Sequence, residues 1–184
     1  NAIVGHSKRK VPTMEKGIEP GPDCCGSGAT GNSEKSGGTG CPNCGVEGQK
    51  VKNITVRSMA LDNLIESVGD QDFFFCLTSD CPVVYFDNTS GRRFDKHDVK
   101  VKVWLKETED PIPVCYCSEV TEKEILDEIL ANGCPSTLEE IQKRTGAGRG
   151  GKCLTRNPSG RCCHPAVKAV IQKAEKMLSE EGYL

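Results

Sequence analysis

The sequence predicts an α+β chain, a small β-rich part followed by a helical part, each organised around thiols. Three observations predict it. Twelve cysteines in 184 residues fall largely into two sets of close pairs. The hydrophobic share is 36 % and the aromatic share 5 %, low for a chain that buries one large core, and thin cores need disulfides or metals for stability. The apolar period also changes along the chain, from about two before Pro113 to about 3.6 after it.

Residues 1–40 read as a flexible tether, largely disordered. Gly17-Ile18-Glu19-Pro20-Gly21-Pro22 leads into a Gly- and Ser-rich run ending at Gly40, and such sequence buries too little apolar area to offset its ordering entropy. The chain opens on Asn1-Ala2 with no Met, as a piece cut from a longer protein would. Residues 41–108 read as the β-rich part. Val51 to Met59, Phe73 to Cys76, Val83 to Phe86 and Val99 to Leu105 are its expected strands, the last alternating apolar and polar residues as a half-buried strand does. A short helix is expected around Leu61 to Val68.

Residues 109–184 read as helical. Thr121-Glu122-Lys123-Glu124 is a capping box, after which Ile125, Leu126, Ile129 and Leu130 share one helical face up to Gly133. A second start at Ser136 or Thr137 directs Leu138 and Ile141 inward and stops at Gly146. The third helix starts near His164-Pro165, where Pro suits the first turn, and carries Val167, Val170, Ile171, Ala174 and Leu178 toward Gly182.

Cys41-Pro42-Asn43-Cys44-Gly45 is a knuckle, two thiols on a tight turn in which Gly45 is free to take positive φ. Cys76 and Cys81 occupy the connection between two expected strands, so a hairpin tip presents them together. Four thiolates without His favour a closed, structural Zn²⁺ site. Mononuclear iron suits the same donors. Two disulfides or free buried thiols would also account for these cysteines, but in a reducing compartment metal thiolates are the expected use.

Cys115-Tyr116-Cys117 is spaced too tightly for most zinc knuckles and suits a cluster whose two irons and bridging sulfides spread the ligand positions. Its partners come after two helices, at Cys153 and at Cys162 or Cys163. Between them, Thr145 to Lys152 is a glycine-rich loop that can turn N–H groups toward anionic sulfur. Cys163 is the preferred fourth ligand because it lies just before the third helix, at a positive dipole end. Cys162 stays open as the alternative.

Val114-Cys115-Tyr116-Cys117-Ser118-Glu119-Val120-Thr121-Glu122-Lys123-Glu124-Ile125, followed by Thr145-Gly146-Ala147-Gly148 and Cys153, resembles the bacterioferritin-associated ferredoxin (BFD) domain. The wider pattern is similar to the amino-terminal region of the archaeal copper chaperone CopZ family. It comprises Cys41-Pro42-Asn43-Cys44, Phe73-Phe74-Phe75-Cys76, Cys81-Pro82-Val83-Val84-Tyr85-Phe86 and Asn157-Pro158-Ser159-Gly160-Arg161-Cys162-Cys163-His164. The resemblance implies zinc at Cys41, Cys44, Cys76 and Cys81, and a BFD-like 2Fe-2S cluster at Cys115, Cys117, Cys153 and Cys163. It implies a cytoplasmic iron–sulfur and zinc protein in which electron transfer is coupled to copper handling, by Cu(II) to Cu(I) reduction or by delivery to a copper exporter. As an enzyme it would be a metal-ion reductase. The implied partners are copper ion and a copper-carrying domain or copper-transporting ATPase. The rival expectation is a non-redox docking domain of a larger metal transporter or reductase, its cluster structural. One departure stands out: this chain has no Met-x-Cys-x-x-Cys copper loop. The fourth-ligand spacing also departs from that of the bacterioferritin-associated ferredoxins.

Other readings fall away. The net charge of −2 carries no basic signature for nucleic acid, and no apolar run approaches the roughly 18 residues of a membrane helix. Gly146 to Lys152 nearly spells a phosphate-binding loop, but Cys153 stands where Ser or Thr is required and a helix precedes it. Cys24-Cys25 on the tether is either a soft-metal pair or an incidental reactive one. Cys134 reads as a small core hydrophobe, and His164 as a helix-start or surface residue that could instead tune the cluster. His6 and His97 have no apparent partner, and no hydrolytic triad or carboxylate pair stands out.

Overall fold

Two runs of bulky β-formers make the centre of the first half. β2 (Phe73–Phe75) and β3 (Val83–Phe86) pair antiparallel, with Phe75 opposite Tyr85. β1 (Gln49–Val51) and β4 (Arg93–Asp95) flank them, giving a sheet ordered β1-β2-β3-β4. The computed structural model describes residues 38–132 and 137–180. Most of the expected tether, with Cys24 and Cys25, lies outside the described residues, as do Cys134 and the expected helix stops at Gly133 and Gly182.

All of β3 is buried because it separates two clusters. Val84 and Tyr85 pack with Val56, Phe73, Phe94 and Val103 in one, while Val83 and Phe86 pack with Cys41, Cys76 and Cys81 in the other. A register shift between Val83 and Tyr85 allows this division.

Two expected strands take other forms. Beyond Val51 the chain becomes a helix, α1 (Asn53–Met59), which buries Thr55, Val56 and Met59 and leaves Ile54 outside. The inward residues recur at helical spacing, and packing of that face overrides the modest β preference of Thr55 and Val56. Val99 to Leu105 keeps its alternation, with Val99 and Val103 buried and Lys100 and Lys102 exposed. It pairs with the sheet half only through a single bridge, Ala60 to Val99, and then tightens into a 3₁₀ turn over Trp104–Lys106. Alternation reports half-burial, and an extended segment can be half-buried without a ladder. The short helix expected around Leu61 is a 3₁₀ helix over Asp62–Ser67.

The second half opens with a hairpin, β5 (Pro113–Cys115) and β6 (Val120–Thr121), which no feature of the sequence led us to expect. α2 (Glu122–Asn132) starts at the expected box: the Glu124 carboxylate accepts from the Thr121 N–H at 2.7 Å. α3 (Leu138–Thr145) starts on Thr137 and ends at Gly146, whose φ of 79° is the left-handed stop glycine favours. A four-residue α4 (Cys153–Arg156) precedes α5 (His164–Glu180). Ile125 and Ile129 of α2 meet Val167, Val170, Ala174 and Leu178 of α5 in the core of this half. All described residues belong to one compact unit.

Candidate metal centres

The knuckle forms as its sequence suggests. The Gly45 N–H donates to the Cys41 carbonyl at 2.8 Å, Gly45 takes a φ of 74°, and the Cys41 N–H reaches the Val46 carbonyl at 2.9 Å. The β2–β3 connection brings Cys76 and Cys81 against it. The sulfurs of Cys41, Cys44, Cys76 and Cys81 all lie within 4.8 Å of one another, with Cys41–Cys81 at 3.8 Å and Cys44–Cys76 at 3.7 Å. A tetrahedral Zn²⁺ with Zn–S of about 2.3 Å sets its sulfurs about 3.8 Å apart. The donor set fits that ion.

Surrounding groups suit thiolates. The Asn43 Nδ2 donates to Cys81 Sγ at 3.3 Å, and the Thr78 hydroxyl lies 3.2 Å from Cys44 Sγ. The Thr78 contact, with the Val46 backbone N–H, draws the Cys44 thiol down to about 6. Burial pushes the Cys76 thiol up to about 12 and raises that of Cys41. A cation at the centre is what would hold all four as thiolates.

Lys106 completes the fit. It is 5 % exposed, and its Nζ donates to the Thr78 carbonyl at 2.6 Å and the Cys81 carbonyl at 3.1 Å. Among the described residues no carboxylate pairs with it. A buried ammonium without a counter-charge is costly. Four thiolates around one Zn²⁺ would carry a net charge of about −2, and that charge beside the ammonium would offset the cost. No motif marks Lys106, which lies 25 residues from Cys81.

In the second set the hairpin turn presents Cys115, Tyr116 and Cys117, with Glu119 at a φ of 56° closing the turn. Cys153 opens α4 and Cys163 immediately precedes α5. Two of the thiols meet directly: Cys117 Sγ lies 3.7 Å from Cys153 Sγ, the separation seen across the first set, while Cys115 and Cys163 are buried together in the helical core. Four cysteine thiolates are what a 2Fe-2S cluster takes, and this donor set fits that group.

The glycine loop behaves as expected of an anion cradle. The Gly148 N–H donates to Cys115 Sγ at 3.2 Å from a backbone with φ of 80°, and a Cβ at Gly150 would collide with Cys117. Burial raises the Cys115 thiol, but the Gly148 N–H and Cys163 outweigh it, so the net direction is down. Burial pushes Cys153 up to about 11 and Cys163 higher still. Cys163 is 3 % exposed while Cys162 faces solvent. His164 Nε2 lies 2.7 Å from Gln142 Nε2, tying the start of α5 to α3. Tyr116 is fixed too, accepting from the Trp104 N–H and donating to the Lys102 carbonyl, both at 2.8 Å.

Comparison with known proteins matches this geometry to a family. Residues 38–100 match the CopZ zinc binding domain, and residues 113–173 match the BFD-like 2Fe-2S binding domain. The crystal structure of the Archaeoglobus fulgidus CopZ N-terminal domain is 40 % identical, with a TM-score of 0.63, over 71 % of this chain and 96 % of that one. The chain belongs to the CopZ amino-terminal family. It is a zinc-binding domain joined to a 2Fe-2S binding domain. The copper chaperone CopZ of Archaeoglobus fulgidus is 42 % identical over 124 residues, which are 67 % of this chain. The chain spans 57 % of that CopZ's length.

Proposed function

We propose that this protein is a cytoplasmic electron-transfer module of copper handling. Its zinc-binding part spans residues 41–108 and its BFD-like part residues 109–184. Cys41, Cys44, Cys76 and Cys81 hold a structural zinc; Cys115, Cys117, Cys153 and Cys163 hold the 2Fe-2S cluster. The observation that carries this reading is the contrast in access. Three of the four cysteines in the first set, Cys41, Cys76 and Cys81, are buried and Cys44 is half-buried, whereas in the second set two, Cys117 and Cys153, are half-buried and meet each other at that edge. An exposed edge is where an electron enters and leaves. A 2Fe-2S cluster held by these thiolates would supply one electron to take Cu(II) to Cu(I), with an external low-potential electron-donor protein as the source of that electron. The chain's own residues hold the thiolates, shield the Cys115–Cys163 side and donate the Gly148 N–H to Cys115 sulfur. The likeness to a copper chaperone supports copper as the substrate, and the Cu(I) formed passes to a copper-carrying domain or a copper-transporting ATPase.

The test is metal and sulfide analysis of anaerobically purified protein, then stoichiometric oxidation. Equal iron and sulfide with one zinc per chain is expected. Dithionite-bleached protein, freed of excess reductant, should regain its colour on adding Cu(II) while an equal amount of Cu(I) appears in a Cu(I)-specific chelator. Colour that stays bleached under Cu(II) overturns the redox reading in favour of a non-redox docking domain with a structural cluster.

A further inference from the structure

The segment from Cys153 to Cys163 carries two of the four proposed cluster ligands, one at each end. Its interior is α4 and a turn closed by the Asn157 side chain, which accepts from the Ser159 N–H at 3.0 Å and the Ser159 hydroxyl at 2.9 Å. α4 has only four residues. The segment's backbone bonds run from Thr155 and Arg156 to the Lys152 carbonyl, from Asn157 to that of Cys153 and from Gly160 to that of Asn157. A helix that short leaves the Leu154, Pro158 and Ser159 carbonyls to partners outside the segment.

The partners come from the sheet half. The Thr55 hydroxyl on α1 donates to the Leu154 carbonyl at 2.7 Å. The Tyr85 hydroxyl on β3 donates to the Pro158 carbonyl at 2.6 Å, and Gln49 Nε2 on β1 donates to the Ser159 carbonyl at 3.0 Å. Thr55 and Tyr85 are both fully buried. Burial keeps the Tyr85 phenol far above its usual ionisation range, so it remains a neutral donor. Gly160 lies against Thr55: a Cβ there would come within 2.8 Å of the Thr55 hydroxyl, and its φ is 64°.

We propose that the sheet half positions the iron–sulfur ligand segment, with Tyr85 and Thr55 as the positioning residues that set Cys153 and Cys163 for the cluster. The zinc-binding domain is then part of the cluster's site. It does not coordinate iron; it supplies three fixed donors to the loop that does. A buried carbonyl stripped of its donor is expensive, so the loop must move or open when one donor is removed. Cluster retention and cluster asymmetry therefore depend on side chains far back along the chain, on α1 and β3. The inference rests on Cys153 and Cys163 being ligands, as proposed above.

The test is Tyr85→Phe in the full chain, loaded with both metals. Phenylalanine keeps the ring packing and removes only the donor to Pro158. Zinc content should stay at the unmodified level, iron release to a ferrous chelator should speed up roughly tenfold, and the visible circular dichroism and reduced-state EPR g values should shift. Val68→Ala is the control. Val68 is buried just after the 3₁₀ helix over Asp62–Ser67 and lends no donor to the loop, so it should destabilise the sheet half yet leave release rate and spectra unchanged. If Tyr85→Phe fails to accumulate, Thr55→Val removes the donor to Leu154 and should give the same signature. Unmodified release and spectra in the donor variants overturn the proposal, as does equal acceleration by Val68→Ala. Cys153→Ser reads the underlying assignment by itself: a cluster retained with an unchanged spectrum shows that the ligand set, and not the positioning, is wrong.

Discussion

The two thiol sets use the same side chain in opposite ways. In the first, four sulfurs converge within 4.8 Å of one another, three of their cysteines are buried, and Lys106 beside them meets the charge. In the second, Cys115 and Cys163 are buried while Cys117 and Cys153 form a half-exposed pair, their sulfurs 3.7 Å apart. Closure suits an ion that only has to hold a fold, while an open edge suits a centre that exchanges electrons. The supports differ in the same sense. The first set is held by its knuckle and hairpin with Lys106 from 25 residues away, whereas the second draws donors from 73 to 110 positions away along the chain.

The sharpest break of this comparison is a pair of ligand variants. A structural zinc contributes about 10–16 kcal/mol to the fold that binds it. Cys76→Ser should therefore abolish zinc binding, unfold the sheet half and lose the cluster with it, because the donors to residues 154, 158 and 159 go too. Cys153→Ser should lose only the cluster and keep a full zinc complement. Metal analysis of the two proteins reads this directly, and a zinc-free Cys76→Ser protein with an intact visible spectrum would end the idea of dependence.

Ile129→Ala asks whether the dependence runs one way. Ile129 is fully buried in the α2–α5 core, and truncation there should cost about 3 kcal/mol. Urea unfolding followed by far-UV circular dichroism should show that loss in the helical half, while zinc stays bound at concentrations of urea that release iron.

Lys106→Met comes next. It leaves the thiolate charge without its ammonium and the Thr78 and Cys81 carbonyls without their donor. Loss of such an outer partner typically costs about 10–100-fold in metal affinity, to be read by competition with a zinc chelator. An affinity equal to that of the unmodified protein would mean that Lys106 is only a hydrogen-bond donor.

Both sets were legible in the sequence because chelating pairs lie close along the chain: Cys41 with Cys44, Cys76 with Cys81, Cys115 with Cys117. The helices after Pro113 were legible for the same local reason, through boxes at Thr121 and Thr137 and glycine at 146. What escaped was non-local. Tyr85 meets Pro158 across 73 positions, Thr55 meets Leu154 across 99 and Gln49 meets Ser159 across 110, and no spacing rule reaches that far. Val51 to Met59 misled because β-branched residues favour strands only where a ladder is on offer, and here the buried face wanted a helix. Val99 to Leu105 misled because alternation records which side chains face inward, not which backbone groups are paired.

The smallest expected effect concerns how each half ends its helices. α1 in the sheet half has no side-chain cap at its start, while α3 in the helical half has a full reciprocal box at Thr137 and Glu140. The Thr137 N–H donates to the Glu140 carboxylate at 2.8 Å, and the Thr137 hydroxyl lies 2.9 Å from it. These bonds hold the Glu140 carboxyl below its ordinary value. A carboxyl whose folded value is depressed adds stability above its unfolded value, near 4.3, and loses it as the pH falls through the folded value. Thr137→Ala should cost about 1 kcal/mol at pH 7 and should flatten the fall in stability of the helical half below about pH 4.3. Glu140→Gln, which keeps a neutral acceptor but cannot titrate, should flatten that acid limb by giving up the carboxylate's contribution at pH 7. Denaturation of the zinc-loaded protein at a series of pH values, followed by the loss of helical signal, measures both. If the acid limb is as steep in both variants as in the unmodified protein, the acid sensitivity belongs to the thiolates and their metals, and the boxes contribute only at neutral pH.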